Sequence, residues 1–505
     1  MAGVSILGVE IGTTGCAAVI FGLDGEVLAR VTREYPLYHP ESGAMEVDAV
    51  HVMAQVHAAI AEAAEVAGEE DPVTTLCAAV QGETTVPVDA DGTPLAPALT
   101  TFDSRPTPQA EWIAREVGTE RILQITGLPV HPMHSLCKIL WWKQRRPELT
   151  AQTHQYLGFD ALFLRSLGLP AQTDYSLAGR TMVLDIQLKA WASDLLDAGG
   201  LTAEQLPRLA RAGTKVGTLP DSVARRLNLP PDVVVVLGGH DQACAALGCG
   251  ALEPGMAMNA VGAVECLAVT LAAPVTNRAM LEHHFACYPH VIPERYLTLA
   301  YNFTGGSLLR WYRDTFGERE DEEAEETGMG FPDVLLAKAG HEPSPVLVLP
   351  HFTTAGTPWL DPRAHGAIVG LTLTTPKAHI IKGLFDGLAY EMRLNLDCLA
   401  EAGIAVRLLR VVGTGARTPS WLQLKADVFN RPVMGICAPD APALGAAHLA
   451  GVATGLYRDL EEAVHRTITL GPRCEPHPED AARYDRPYRL YKQLYPALKG
   501  IVQEM

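Results

Sequence analysis

The sequence predicts an α/β protein of two domains, and three observations carry that prediction. The 505 residues are too many for one hydrophobic core, because chains beyond roughly 250–300 residues divide into domains. Apolar, β-branched runs that read as buried strands alternate with segments of helical patterning. A hairpin with a glycine turn opens the chain and a second opens near its middle, which suggests a duplicated topology.

Val4 to Ile11 reads as a strand, Gly12-Thr13-Thr14-Gly15 as a turn, and Cys16 to Phe21 as a second strand. Asp24-Gly25 turns the chain again and Glu26 to Ala29 pairs back, completing a three-stranded meander. Helical patterning covers Ala49 to Ala67, and a strand runs from Thr75 to Val80. A strand pair is expected around Asp91-Gly92, another strand to Thr101, and mainly helix from Glu111 to Leu149 with a break at Thr126 to Pro132. Val233 to Leu237 is a run of β-branched and apolar residues, as in a strand buried on both faces; Gly238-Gly239 is expected to end it in a tight turn. Leu252-Glu253-Pro254-Gly255 breaks the following helix, which places the domain boundary near residue 253. The second hairpin is Met256 to Val261, a turn at Gly262-Ala263, then Val264 to Val269. The acidic run Glu318 to Glu326 reads as a solvated helix or loop. A strand at Arg407 to Val412, a glycine turn, and helices at Pro419 to Phe429 and Ala443 to Thr454 close the chain.

The balance of 40 Lys plus Arg against 58 Asp plus Glu gives a net charge of -18. Such a field repels nucleic acid and anionic membranes, so a phosphate site must rest on local backbone donors or a metal. The apolar runs are too short for a membrane span. The first residues lack a basic region and reach Glu10 early, unlike a signal peptide. Ten scattered cysteines without a Cys-x-x-Cys pair point away from disulfides and a zinc site and toward a reducing cytoplasm.

Gly238-Gly239-His240-Asp241-Gln242 is the most informative stretch. Ligands of open α/β sheets bind at the carboxyl ends of strands, and a carboxylate there suits a general base. The plainer reading makes Asp241 a helix cap. Gly12, Thr13, Thr14 and Gly15 offer close backbone approach, N–H groups and hydroxyls to a phosphate. The plainer reading is a hairpin turn. Glu10, just before that turn, has the chemistry to hold Mg²⁺ through water. Gly413-Thr414-Gly415-Ala416-Arg417, between a strand and a helix, leaves room for a flat ligand, although such turns are common architecture. Gln81, Glu83, Asp103 and Arg105 cluster at strand ends and suit recognition of several hydroxyls, or serve as turn and rim residues. His131-Pro132-Met133-His134 reads as a packed loop beside them, and His283, His284 and His290 as structural.

In this order and spacing, Leu7 to Thr14, Thr101-Phe102-Asp103-Ser104-Arg105, Gly238 to Gln242, Gly413 to Asp427 with Arg431-Pro432-Val433, and Ala443 to Ala447 resemble the FGGY family of carbohydrate kinases. The resemblance spans essentially the whole chain. It implies two actin-like (ribonuclease H-like) domains, residues 1–252 and 253–505, with ATP and sugar in the cleft between them. It implies transfer of the γ-phosphoryl group to a sugar hydroxyl. By position, Asp241 matches the catalytic base, Thr13 and Thr14 the first phosphate loop, and Gly262 the second. Gly413, Thr414, Gly415 and Ala416 match the adenosine motif, while Gln81, Asp103 and Gln242 fall near the sugar.

This chain departs from the family in places. Glu10 stands where Asp is usual, Ala17 where a basic residue is frequent, Ala263 where Thr is usual and Glu265 where a small residue is usual. Xylulokinases commonly carry Met-His where Gly82-Glu83 stands. The Gly-Gly-x-Asp strand end agrees with pentulose kinases. Thr126 to Met133 and Asp174 to Ala178 are similar to gluconate kinases, with Arg105 or Arg180 to balance an anion. Glu83 argues against an anionic substrate, so the expected acceptor is a neutral pentulose such as D-xylulose, with gluconate as the alternative. The expected cofactors are ATP and Mg²⁺. A sugar- or nucleotide-binding protein without transfer activity, motivated by Ala17 and Ala263, and an actin-like ATPase that drives assembly of a partner are the readings from other classes. Homodimers are common in the family, and no sequence feature shows one here.

Overall fold

Ser5–Ile11 pairs antiparallel with Gly15–Gly22, Ile11 opposite Cys16 across the turn, and Gly15–Gly22 pairs on to Val27–Glu34. Val73–Val80 lies parallel to Ser5–Ile11, Val234–His240 parallel to Val73–Val80, and Lys215–Thr218 closes the edge antiparallel. The computed structural model describes residues 3–68 and 70–504. Alternation along the strands explains how this sheet is covered on both faces. Leu7, Val9, Ile20, Leu76 and Val235 share a core with Val52, Val56 and Ile60 of helix Ala49–Ala67. Ile6, Val19, Phe21, Cys77 and Val236 share another with Ala443 and Leu444 of helix Ala441–Thr454, from the far end of the chain.

The second sheet repeats this plan. Met256–Val261 and Glu265–Leu271 form its hairpin, Tyr296–Asn302 continues the meander, and Leu408–Gly413 and Val433–Cys437 add parallel on the other side. Thr469–Cys474 closes that edge antiparallel, and Ala286–Pro289 extends the opposite one. Strand for strand, the order matches the first sheet. The fold is the two-domain actin-like α/β arrangement.

The two helices that follow the equivalent strands, Asp241–Gly248 and Ala441–Thr454, pack together. A Cβ on Gly445 would lie 1.8 Å from the Cys244 carbonyl oxygen and one on Gly248 2.0 Å from that of Ala441. Glycine is required by this backbone contact, which joins the lobes behind the site.

Several elements differ from expectation. Gly238 and Gly239 lie inside the strand, and no turn separates it from the helix. Their missing side chains make room for the Ala78 carbonyl, 1.8 Å from a Cβ on Gly238, and for Val291, 2.4 Å from one on Gly239. The helix before the Leu252-Glu253-Pro254-Gly255 segment already ends at Gly248. Val86–Val88 pairs with Gln155–Leu157, and only a Val88–Pro94 bridge spans the Asp91-Gly92 turn. Pro94 and Pro97 have no N–H to extend that hairpin. The acidic run is a helix, Glu318–Thr327, but Glu320 is buried and paired with Lys377 at 2.7 Å.

Candidate active site

Asp241 is the first residue of its helix, and the cap position belongs to His240. Its Oδ1 accepts the Gln242 N–H at 2.6 Å and lies 3.3 Å from His240 Nε2. The side chain keeps 19% of its surface exposed, so the carboxylate is not sealed into the interior. Burial pushes its carboxyl up to about 7, with Glu10 and Glu83 adding to the rise and the Gln242 amide opposing it. A group poised there changes protonation near neutrality, as a general base must. Glu10 leads into the first hairpin turn. Burial raises its carboxyl as well, Asp440 of the second lobe adding and Arg30 opposing.

The first turn is tied down from below. Gln81 accepts from the Thr13 hydroxyl at 2.8 Å and the Thr84 hydroxyl at 3.1 Å, and donates to the Gly12 carbonyl at 3.1 Å. Tyr35 donates toward the Gly12 and Gly15 carbonyls at 2.5 and 2.9 Å. The second turn is held from its outer side by backbone N–H groups and by the Ser307 hydroxyl, which donates to the Ala263 carbonyl at 2.8 Å. Gly305 and Ser307 N–H groups reach the Ala263 carbonyl at 2.9 and 3.2 Å, and Gly306 N–H reaches Gly262 at 2.8 Å.

Beside that second turn lies a cavity of about 280 Å³ lined by Gly262, Gly305, Thr414, Gly415 and Trp421, with Arg310 at its edge. Gly413 has φ +86°, and a Cβ there would sit 2.4 Å from the Val261 carbonyl, so glycine is obligatory. Thr414 donates to that same carbonyl at 3.2 Å. Ala416 is partly buried against the second core. Beneath the cavity, Lys425 forms a fully buried ion pair with Glu265, its ammonium 4.7 Å from the centre of the Trp421 ring. Asn259 donates to the same carboxylate at 2.9 Å. The residue that departs from the family pattern is thereby neutralised in place.

The wall of candidate sugar ligands is largely self-paired. Asp103 holds Arg105 at 2.6 Å and also accepts the Met45 N–H at 3.0 Å. Arg105 further binds Glu46 at 2.6 Å and lies 4.5 Å above the Trp141 ring centre. Glu83 stands at φ +61° and its side chain is buried. Arg180 Nε binds it at 2.6 Å, and Lys138 binds its carbonyl at 2.8 Å. Burial, the largest single influence, would raise that carboxyl; Arg180 first, with His240, His134 and Lys138, together outweigh it, and Glu83 is held down at about 2. Two buried atoms of this region have no partner, Arg180 Nη1 and Gln242 Oε1.

Two family models divide the chain between them. The N-terminal domain of the FGGY family of carbohydrate kinases matches residues 5–248, and its C-terminal domain matches residues 257–454. The chain belongs to the FGGY family of carbohydrate kinases. It is therefore a sugar kinase, a phosphotransferase with an alcohol group as acceptor. It is 26% identical to a xylulose kinase of Bacillus subtilis (strain 168) over 498 residues, covering 98% of this chain and 97% of that one. It is also 26% identical to a gluconokinase of the same organism over 488 residues, covering 95% and 93%. A gluconate kinase structure from Lactobacillus acidophilus superposes with a TM-score of 0.88 at 23% identity, covering 98% of both chains. No helix among the described residues is long and apolar enough to cross a membrane.

This FGGY chain brings Glu10, Glu83, Asp241 and Gln242 into one neighbourhood, and Gly262, Thr414 and Gly415 around one cavity. Gln81 turns out to be committed to the first turn, and Asp103 to Arg105. Sequence reasoning passed over Tyr288, whose hydroxyl meets His240 at 2.9 Å, and Gly305-Gly306. A tyrosine inside an apolar strand carries no signal that separates it from core. The Gly305-Gly306 pair before a helix was a usable one.

Proposed function

We propose that this FGGY kinase transfers the γ-phosphoryl group of ATP to a hydroxyl of a neutral sugar, a pentulose such as D-xylulose, in the cytoplasm. The observation that carries the acceptor reading is the pairing of the wall's two guanidinium groups. Arg105 is matched by Asp103 and Glu46, and Arg180 by Glu83. Each cation already faces a carboxylate, so a second, substrate carboxylate finds no uncompensated charge.

The lobes divide near residue 253 in this reading. Asp241 takes the proton of the attacking hydroxyl, and Gln242 offers its unfilled Oε1 to a neighbouring hydroxyl. Glu83, Asp103 and Arg105 shape the wall through their ion pairs, and Gln81 holds the first turn in place. Gly12, Thr13 and Thr14 face the terminal phosphates, Gly262 the second side, and Gly413, Thr414, Gly415 and Ala416 the adenosine. Asp440 lies close enough to Glu10 to raise its carboxyl, and Glu10 in turn raises that of Asp241. This oxygen-only, over-negative set fits Mg²⁺ held through water at Glu10, and the cation would neutralise phosphate oxygens there. The protein's share of phosphoryl transfer is positioning and charge stabilisation.

One observation favours gluconate as a second reading: Arg180 Nη1 has no protein partner. ADP release measured over D-xylulose, other pentuloses, D-gluconate and polyols separates the two. A pentulose with the highest kcat/KM is the expected result. D-gluconate as the best acceptor overturns the neutral-sugar reading. Nucleotide binding without turnover on any of them supports a binding protein of the same fold.

A further inference from the structure

Between the base and the second lobe runs a short hydrogen-bonded chain. His240 Nδ1 is 2.9 Å from the Tyr288 hydroxyl, and His240 Nε2 is 3.3 Å from Asp241 Oδ1. Both rings are buried, packed edge to face with centroids 5.5 Å apart. His240 ends a strand of the first sheet, while Tyr288 lies in Ala286–Pro289, on the edge of the second.

The protonation pattern follows from the chemistry of the ends. Burial keeps His240 neutral, lowering it to about 3. A neutral imidazole has one N–H and one acceptor nitrogen. Nε2 faces a carboxylate oxygen, which accepts when ionised, so the proton belongs on Nε2. Nδ1 is then the acceptor, and Tyr288 O–H donates to it. Asp241 Oδ1 thus receives two donors, His240 Nε2–H and the Gln242 N–H. Oδ2 is left as the oxygen able to receive a proton from an alcohol. Tyr288 is itself held, with the Arg180 guanidinium 4.9 Å from its ring centre and Arg180 fixed by Glu83.

We propose that Tyr288 and His240 are positioning residues that present one chosen oxygen of Asp241 to the sugar hydroxyl, and that Tyr288 makes this orientation depend on where the second lobe stands. The inference rests on Asp241 being the base. Movement of the lobes that carries the Ala286–Pro289 strand away removes the Tyr288 donor, frees the imidazole to change tautomer, and releases Oδ1. The base is therefore correctly presented only when the lobes are in register, which disfavours phosphoryl transfer to water in other arrangements.

Glu10, Glu83, Arg180, Cys266, Cys244 and Asp174 are the titratable groups facing this chain from the surrounding elements. All remain in a Tyr288→Phe variant, which keeps the ring and its contact with Arg180 and loses only the hydroxyl. ADP release is measured with whichever of D-xylulose, D-gluconate or glycerol the unaltered enzyme turns over fastest. The Tyr288→Phe variant is expected to lose about tenfold in kcat, the value of one well-placed hydrogen bond, with KM for ATP and acceptor changed less than about twofold. The acid limb of its kcat/KM profile moves to higher pH, because Oδ1 has lost a donor that favours the carboxylate. A His240→Gln variant, whose amide can accept from Tyr288 and donate to Asp241, retains more turnover than His240→Leu, a readout available even if Tyr288→Phe fails to fold. Wild-type kcat and an unshifted pH limb in Tyr288→Phe, or equal losses in His240→Gln and His240→Leu, overturn the inference while Asp241→Asn remains strongly impaired. Normal turnover of Asp241→Asn instead removes the base itself and the reading beneath.

Discussion

Asp241 and Asp440 occupy matching places in the two lobes, each where an equivalent parallel strand gives way to a helix. Their chemistry differs because their neighbours do. Asp241 sits on a helix with one oxygen held by an amide and an imidazole, facing the carboxyls of Glu10 and Glu83. Asp440 stands in the left-handed region at φ +49° and grips Arg30 of the first lobe with both oxygens, at 2.8 and 2.9 Å. The hairpin turns differ in the same way. Thr13 and Thr14 give the first turn hydroxyls, whereas Ala263 and Val264 leave the second with backbone donors. Opposite Ile11 stands Cys16, and opposite Val261 stands the charged Glu265. A repeated topology supplies places for ligands; the side chains around each place decide whether it performs acid–base work, binds, or braces the lobes.

The largest effect expected from this contrast is at the two aspartates. Asp241→Asn lowers turnover by roughly 10²–10⁴-fold, while Asp440→Asn stays within a few-fold and loosens the lobe contact. Steady-state ADP release on both variants is the measurement, and equal losses would break the comparison.

Next comes the buried pair of the second lobe. Lys425→Met strands Glu265 without its cation and costs about 3–5 kcal/mol in chemical denaturation. Glu265→Gln combined with Lys425→Met recovers part of that loss, whereas Cys16→Ala at the matching place in the first lobe costs about 1 kcal/mol.

A pH profile sharpens the contrast further. Asp241 must be ionised to accept a proton, and its carboxyl titrates at about 7. The kcat/KM should therefore climb with pH and level off above neutrality, falling about tenfold for each unit below the limb. A flat profile from pH 5 to about pH 8 would detach Asp241 from the rate. The smallest effect is expected at the second turn, where Ala263→Thr restores a hydroxyl and lowers KM for ATP by about 2–10-fold, the worth of one hydrogen bond.

Much of this was legible in the residues. Apolar alternation placed the strands, and Pro419–Phe429 begins and ends where proline and the apolar pattern place it. The Gly-Gly-His-Asp sequence after a buried strand drew attention to Asp241, although capping the next helix was an ordinary reason for it to stand there. Glu83 shows where such reading stops. As a lone carboxylate it argued against an anionic substrate, but the structure gives it Arg180, 97 residues away, and the charge disappears into an ion pair. What the structure adds on this wall is that Arg105 and Arg180 each face a carboxylate of the protein itself.

Local order in the chain, written in periodicity, glycine placement and short motifs, determined the α/β lobes, the two turns and the place of Asp241 at a strand's carboxyl end. Only the folded chain decided which charges cancel, that Gln81 braces a turn, that Glu265 lies paired beneath a cavity, and that Tyr288 from one sheet reaches His240 beside Asp241 of the other. Those outcomes depend on side chains brought together from distant segments, and the energy of a charge or a hydrogen bond is set by its partners in space.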